Sequence, residues 1–115
     1  MTALITPADR IFVAGHRGMA GSAICRALQR AGYNQVLTAS RSELDLLDAA
    51  AVQCWFAEQR PTVVVLAAAK VGGIHANSTF PVDFLLENLK IQANVIETAW
   101  RSGARRLLFL GSSCI

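Results

Sequence analysis

The chain has 115 residues, of which 53% are hydrophobic and 17% charged, a composition typical of one folded domain with its own core. The formal net charge is +3 at pH 7, but the arginines are scattered without a basic stripe, which argues against a nucleic-acid-binding protein. The longest apolar run, residues 63–69, is too short to span a bilayer, and neither a secretory signal nor a metal-ligand spacing is visible. Three widely spaced cysteines fit a reducing compartment. We therefore expect a cytoplasmic protein without a membrane segment or a metal site.

The first predicted elements are a strand, a glycine turn and a helix. An apolar strand at 10–14 leads into the turn, and apolar residues at helical spacing predict a helix over 19–31. In a dinucleotide site built this way, Gly15 allows the tight turn, Gly18 leaves room for a pyrophosphate, and Gly21 lets the helix pack closely on the strand. The helix N-terminus then directs its N–H groups and the positive end of its dipole at the phosphates.

The rest of the chain alternates between strands and helices, which predicts a parallel sheet covered by helices. Asp48 stands at the N-cap position of the second helix, and Pro61 prevents that helix from continuing. The predicted strands lie at 35–39, 62–66 and 106–110, and the predicted helices at 49–59 and 82–102. Side-chain spacing assigns Val52, Trp55 and Phe56 to a buried stripe, places Leu85, Leu89, Ile96 and Ala99 near one face of the last helix, and makes Cys25 and Cys54 small core residues.

These elements predict a partial doubly wound Rossmann sheet of the α/β class, with helices on both faces and the strand order 3-2-1-4. Residues 1–115 would then be the N-terminal part of a dinucleotide-binding domain. The fourth strand is an apolar edge in this arrangement, and exposed apolar edges promote aggregation. We therefore expect that the chain is a piece of a larger protein or that a partner covers this edge.

The end of the second strand indicates which dinucleotide would bind. An acid at this position usually bonds the adenosine ribose 2′-hydroxyl and selects NAD, but the sequence here reads Thr38-Ala39-Ser40-Arg41. A guanidinium at Arg41 can hold a 2′-phosphate bidentately, and Arg17 in the glycine turn can approach it from the other side. We therefore predict NADP in preference to NAD. Residues 45–46 are expected to line the adenine pocket.

Two further segments leave the carboxyl ends of strands, where ligands of this architecture bind. Small residues after the third strand, in the segment that contains Ala68 and Lys70, would let the backbone approach a cofactor. The segment after the fourth strand carries Ser112 and Cys114. A hydroxyl and a thiol there can hydrogen-bond a carbonyl and move protons.

The same residues resemble a known family. The strings GHRGMAGS at 15–22, AAAKVGGI at 67–74, ENL at 87–89 and LGSSCI at 110–115 are similar to those of the GDP-L-fucose synthases, which belong to the extended short-chain dehydrogenase/reductases. The resemblance covers nearly the whole chain after residue 9.

This resemblance implies an enzyme that epimerises C3 and C5 of GDP-4-keto-6-deoxy-D-mannose and reduces C4 with NADPH to give GDP-L-fucose, as a homodimer. It implies that Ser112 hydrogen-bonds the ketone and that Cys114 transfers protons in the epimerisation. The cofactor-binding residues would be Gly15, His16, Arg17, Gly18, Met19, Ala20, Gly21, Arg41, Ser42, Glu43, Leu44, Asp45, Leu46, Ala68, Lys70, Leu110, Gly111, Ser112 and Ser113.

One departure from the family bears on activity. The family uses a Tyr-x-x-x-Lys pair, but the only tyrosine of this chain is Tyr33, with Leu37 four residues later. We therefore expect that the 115 residues alone do not catalyse the full reaction. A non-catalytic dinucleotide-binding module and an interaction domain without a ligand stay open as alternatives.

Overall fold

The computed structural model describes residues 5–67 and 81–110. The elements in chain order are β1 (Ile11–Ala14), α1 (Met19–Arg30), β2 (Val36–Leu37), α2 (Ala49–Gln59), β3 (Val63–Leu66), α3 (Pro81–Arg101) and β4 (Arg106–Phe109). Each of them was predicted, and α2 has the predicted bounds, whereas β2 has two residues instead of five. Within these ranges no helix is long and apolar enough to cross a membrane.

The described strands form one parallel sheet in the order β2-β1-β3-β4, so the predicted order 3-2-1-4 is wrong. All four residues of β1 and all four of β3 are buried, whereas the two residues of β2 are only half-buried. The two most apolar strands therefore take the centre, paired from Ile11 with Val63 to Ala14 with Leu66, and β2 lies at an edge. The fold class itself, a partial doubly wound sheet, is confirmed.

This order explains why helices cover both faces. The connection from β1 to β2 runs in one direction, and the connection from β2 to β3 returns across β1. If both crossovers are right-handed, their helices must lie on opposite faces. On one face α1 packs Ile24, Cys25 and Leu28 on Ile11, Val13, Val63 and Val65. On the other face α2 and α3 bury Val52, Phe56, Ile91, Val95 and Ala99 on Phe12, Ala14, Val64 and Leu66.

The ends of α2 follow the predicted signals. The Asp48 carboxylate accepts the Ala51 N–H at 3.1 Å and so caps the helix N-terminus. Arg60 follows the helix in the left-handed region at φ 49°, and its N–H donates to the Phe56 carbonyl. Pro61 comes next, and because proline has no backbone N–H group, it cannot donate the hydrogen bond that would continue the helix.

One burial prediction was wrong, and helix geometry explains it. Cys54 is exposed because it lies about 200° around α2 from the buried Val52, at about 100° per residue. Leu85 and Leu89 are 52% and 49% exposed, since the face of α3 that meets the sheet runs through Ile91 and Val95. The helix carries apolar side chains on a second face, and spacing alone does not tell which face meets the core.

A buried carboxylate joins the N-terminal ends of the central strands. Asp9 is 7% exposed and accepts hydrogen bonds from the Thr6 N–H at 2.8 Å and the Thr62 hydroxyl at 2.9 Å. The Arg105 guanidinium binds it bidentately, with Nε 2.9 Å from Oδ1 and Nη2 on Oδ2. These bonds, above all the one from Arg105, hold the pKa of Asp9 well below its usual range although burial opposes this. The group ties β4, whose four residues are exposed, to the centre of the sheet.

Candidate functional site

The glycine turn closes directly after β1. Gly15 has φ 91°, a left-handed conformation that side chains disfavour, and its carbonyl accepts the Gly18 N–H at 3.1 Å. Gly18 is the N-cap of α1, and its carbonyl accepts the Ser22 N–H at 2.9 Å. Among the described residues, no side chain caps the N-terminus of α1, and the first turn of α1 contains no acidic residue. The N–H groups and the positive dipole end of α1 are therefore left for another anion.

Gly21 and Gly18 differ in what surrounds them. A Cβ at Gly21 would lie 1.9 Å from the Gly15 carbonyl oxygen and 2.7 Å from its carbon, so only glycine lets α1 pack against the turn. A Cβ at Gly18 would lie 3.5 Å from the same oxygen, which is an ordinary contact, and Gly18 has φ −73°. The fold therefore requires glycine at position 21, whereas at position 18 it has room for a methyl group.

A cleft of about 310 Å³ opens between this turn and the segments that follow β2 and β3. It lies at the carboxyl ends of the strands, where β1 leads to a helix on one face and β3 to a helix on the other, as ligand sites of doubly wound sheets do. Its lining residues are Phe12, Ala14, Gly15, His16, Arg17, Gly18, Ala39, Ser40, Arg41, Leu44, Asp45, Leu46, Leu47, Ala67 and Ile91.

Arg17 and Arg41 bring two guanidinium groups to this cleft from different segments, one from the glycine turn and one from the loop after β2. Both residues are exposed. Among the residues that the structure describes, neither arginine forms an ion pair or a hydrogen bond. The two guanidinium groups are therefore not held in described ion pairs, although the Glu43 carboxylate interacts electrostatically with Arg17 and the Asp45 carboxylate lines the same cleft.

A hydrogen-bonded turn carries Arg41. The Glu43 carboxylate accepts the Ser40 N–H at 3.1 Å and the Ser40 hydroxyl at 2.9 Å, and the Ser40 carbonyl accepts the Glu43 and Leu44 N–H groups at 3.0 and 2.9 Å. The bond from the Ser40 N–H is the main reason why the pKa of Glu43 lies below its ordinary value. Ser42 lies 2.9 Å from Ser40, hydroxyl to hydroxyl. The turn thus has its own local hydrogen bonds, as a capping box does.

The next segment, 44–47, forms the opposite wall of the cleft. Leu44 is 5% exposed and anchors the segment in the core. The Asp45 carboxylate accepts the Leu47 N–H at 3.0 Å, and the Leu46 carbonyl accepts a hydrogen bond of 2.8 Å from the Asn94 side chain of α3. The wall is therefore held by both a local turn and a distant helix.

A second hollow, of about 610 Å³, lies between the C-terminal ends of α2 and α3, near the N-terminal end of β3. Arg60 and Arg101 line it, and Arg101 is paired with Glu97 at 2.9 Å. Helix C-termini carry the negative ends of the helix dipoles, which disfavour bound phosphates. The smaller cleft is therefore the better candidate for a nucleotide.

The predicted site residues, cofactor-binding and catalytic together, divide into three groups. Eight of them line the cleft: Gly15, His16, Arg17, Gly18, Arg41, Leu44, Asp45 and Leu46. Six are described but do not line it: Met19, Ala20, Gly21, Ser42, Glu43 and Leu110. Six lie outside the described residues, including both predicted catalytic residues: Ala68, Lys70, Gly111, Ser112, Ser113 and Cys114.

Sequence reasoning missed some of the lining residues. Phe12 and Ala14 form the floor of the cleft because β1 runs beneath it, which the strand pattern could have indicated. Ile91 reaches the cleft from α3, and no local signal in the sequence connects it with the glycine turn. Asn94 does not line the cleft but fixes part of its wall.

Comparison with known proteins gives the family. The sequence model of the NAD dependent epimerase/dehydratase family matches residues 11–115, so the chain belongs to that family. It is 56% identical over 106 residues to GDP-L-fucose synthase 1 of Arabidopsis thaliana, and this match covers 92% of the chain and 33% of the relative. It is 53% identical over 107 residues to GDP-L-fucose synthase of Escherichia coli K12, covering 93% of the chain and 33% of the relative.

A solved structure agrees with these sequence matches. GDP-mannoheptose C4 reductase from Campylobacter jejuni, with NADP bound, superposes with a TM-score of 0.88 at 38% identity, over 93% of this chain and 32% of that protein. The chain thus spans about a third of the length of the relatives that it matches. The predicted resemblance to GDP-L-fucose synthases and the predicted Rossmann-like fold are both confirmed.

Proposed function

We propose that this member of the NAD dependent epimerase/dehydratase family is the NADP-binding N-terminal part of a GDP-L-fucose synthase. The observation that carries the proposal is the cleft at the carboxyl ends of β1, β2 and β3, where an uncapped helix N-terminus meets Arg17 and Arg41. The relatives with this name from Arabidopsis thaliana and Escherichia coli are 56% and 53% identical, which supports the same substrate class.

The residues of the cleft fit the dinucleotide part by part. The N–H groups at the start of α1 would bind the pyrophosphate, and glycine at position 18 leaves its approach open. Arg17 and Arg41, which form no ion pair or hydrogen bond among the described residues, would hold the 2′-phosphate of NADP. Asp45 and Leu46 would face the adenine. NADPH, once bound, supplies the hydride for the reduction.

The whole reaction would be the epimerisation of GDP-4-keto-6-deoxy-D-mannose at C3 and C5, followed by reduction at C4 to GDP-L-fucose. In this proposal the Ser112 hydroxyl donates a hydrogen bond to the C4 ketone oxygen, which stabilises the enolate formed when a neighbouring proton leaves. Cys114 would act together with a second acid–base group: one of the two, as a base, takes the proton from the carbon next to the ketone, and the other, as an acid, gives a proton to the opposite face of the enolate. The 115 residues contain no Tyr-x-x-x-Lys pair, so this part alone would bind the cofactor without completing the reaction. The complete enzyme would be a cytoplasmic homodimer.

A binding titration tests the cofactor proposal. Purified chain is titrated with NADPH and with NADH, and the binding is followed by nucleotide fluorescence. We expect saturable binding of NADPH at least about tenfold tighter than that of NADH, since a 2′-phosphate held by arginine is worth roughly 1.5 kcal/mol or more. Adenosine 2′,5′-bisphosphate should compete with NADPH.

Two variants make the titration specific. Arg41→Ala should abolish the preference for NADPH, whereas Arg30→Ala, which removes an exposed arginine from the last turn of α1, should leave it unchanged. Absence of binding by the unmodified chain would refute the cofactor proposal and favour an interaction domain. If the chain binds NADPH, the enzyme and the non-catalytic module still have to be told apart. The protein is therefore joined to a remainder that contains Tyr-x-x-x-Lys and assayed for the formation of GDP-L-fucose. Formation of the product supports the enzyme, and its absence supports the non-catalytic module.

A further inference from the structure

We propose that Asn94 on α3 is a positioning residue that sets the orientation of the adenine-facing wall of the cleft, and so the base specificity of the site. This inference rests on the proposed function, because it assumes that a dinucleotide occupies the cleft. Its basis is the hydrogen bond of 2.8 Å from Asn94 Nδ2 to the carbonyl oxygen of Leu46, 48 residues earlier in the chain.

The bond fixes a backbone segment that has no strand neighbours. Residues 44–47 belong to neither a helix nor a strand, so no ladder of hydrogen bonds determines how their peptide planes point. A turn bond from the Asp48 N–H to the Asp45 carbonyl at 3.0 Å closes the segment, but it does not involve the peptide between Leu46 and Leu47. The peptide between Leu46 and Leu47 is instead held at both of its polar groups. Asn94 donates to its carbonyl, and its N–H donates to the Asp45 carboxylate at 3.0 Å.

Apolar packing does not replace this tie. Leu46 and Leu47 are half-buried against the core formed with α2 and α3, which fixes where the segment lies. Packing is non-directional, however, and leaves the rotation of a peptide plane open. The Asn94 bond therefore supplies the directional constraint from outside the segment, in addition to the local bond from the Leu47 N–H to the Asp45 carboxylate, and it helps to fix that carboxylate through the peptide they share.

The same helix contributes a wall of the cleft one turn earlier. Ile91 lines the cleft, and Asn94 follows it at i+3, on the same side of α3. A purine placed against Ile91 would present its polar edge to the segment at 45–46. Base identity would be read there by the carboxylate and peptide groups that Asn94 holds in place, whereas the arginines would read only the phosphate.

A pair of dinucleotides isolates this role. NADPH and its reduced hypoxanthine analogue differ only at the purine, where the analogue has a carbonyl oxygen in place of the 6-amino group. We expect the unmodified protein to prefer NADPH by about tenfold, since a mismatched polar group at a hydrogen-bonding edge costs about one hydrogen bond. Asn94→Leu should weaken NADPH binding by about five- to tenfold and reduce the preference for adenine to less than about threefold.

Asn94→Asp is the second variant, because it keeps the size of the side chain but places an acceptor against the Leu46 carbonyl; we expect the same loss of base preference. Gln92→Leu is the matched control, since it removes a carboxamide from the same helix at a residue outside the cleft lining, and it should change neither value. Arg41→Ala should weaken both dinucleotides equally.

The outcomes separate the inference from the function beneath it. If the unmodified protein binds neither dinucleotide, the proposed function fails, and the inference fails with it. If it binds NADPH without preferring adenine, or if the Asn94 variants weaken both dinucleotides by the same factor, only the inference is overturned. Loss of the folded state in both Asn94 variants, seen by circular dichroism, would assign Asn94 to stability and would also overturn it.

Discussion

Alanine at Gly21 and alanine at Gly18 should separate the stability of the fold from its binding of a dinucleotide. Both glycines belong to the same turn, and both substitutions add one methyl group. At Gly21 the new Cβ would lie 1.9 Å from the Gly15 carbonyl oxygen, whereas at Gly18 it would lie 3.5 Å from that atom. The first is a severe overlap between backbone-anchored atoms, and the second is an ordinary contact.

The magnitudes follow from these distances. No side-chain rotation relieves the overlap at Gly21, so α1 must move away from the turn, at a cost near the upper end of the roughly 1–3 kcal/mol seen for overpacked sites. Alanine recovers up to about 1 kcal/mol of helix propensity, which leaves about 2 kcal/mol of net destabilisation. For a domain of this size we expect Tm to fall by roughly 8–16 °C. Gly18→Ala gives up only the N-cap preference for glycine over alanine, about 1 kcal/mol or less.

Binding should show the opposite order. The methyl group of Gly18→Ala would stand at the start of α1, where we propose that the pyrophosphate lies, and should weaken NADPH at least about tenfold. Thermal unfolding by circular dichroism and NADPH titration are measured on the same preparations. A Tm for Gly21→Ala within about 2 °C of the unmodified protein would refute the packing argument. Unchanged NADPH affinity in Gly18→Ala would refute the location of the phosphates.

Three further predictions concern single side chains. Arg41→Ala should weaken NADPH far more than NADH in fluorescence titrations, and equal losses would exclude a contact with the 2′-phosphate. Asp9→Asn should lower stability in urea unfolding at pH 7 by about 2 kcal/mol, because it disturbs the hydrogen bonds that this buried carboxylate accepts from Thr6, Thr62 and Arg105. Since the pKa of Asp9 is lower in the folded than in the unfolded chain, the stability contributed by its ionised carboxylate is complete at neutral pH and declines below about pH 4. The Asp9→Asn variant should therefore lose less stability than the unmodified protein between about pH 4 and pH 2. Parallel curves of unfolding free energy against pH would contradict this. Asp48→Ala should cost about 1 kcal/mol through loss of the α2 cap in the same unfolding assay, and Asp48→Asn should retain most of it.

Local signals explain which parts of the fold were predictable. The bounds of α2 follow from Asp48 and Pro61, and the turn at Gly15 follows from glycine spacing, because each depends on neighbours within a few residues. Strand order depends instead on which strands are most deeply buried. The sequence showed β3 as an apolar run, but not that it pairs with the second side of β1, where the predicted order placed β4.

The site divides in the same way. The glycine turn and Arg41 were predictable because each is recognised from a short stretch of sequence, and the structure brings the two to one cleft. Ile91 and Asn94 were not predictable, since α3 reaches the cleft only after the chain has crossed the sheet. Contacts over such distances have no periodicity to reveal them.

The N-terminal ends of the strands contribute to stability, and their carboxyl ends form the proposed binding site. At the N-terminal ends of the strands, Arg105 and the buried Asp9 carboxylate are joined by charge-assisted hydrogen bonds, which fix the positions of these ends. At the carboxyl ends of the strands, bonds between Ser40 and Glu43 hold the turn that carries Arg41, and a local bond together with Asn94 of α3 holds the wall at 44–47. Because β1 and β3 are paired along their whole length, a change at one end reaches the other only by displacing a strand. Asp9→Asn should therefore lower stability while leaving the ratio of NADPH to NADH affinity unchanged, and a shifted ratio would mean that the strands do not insulate the cleft from their opposite ends.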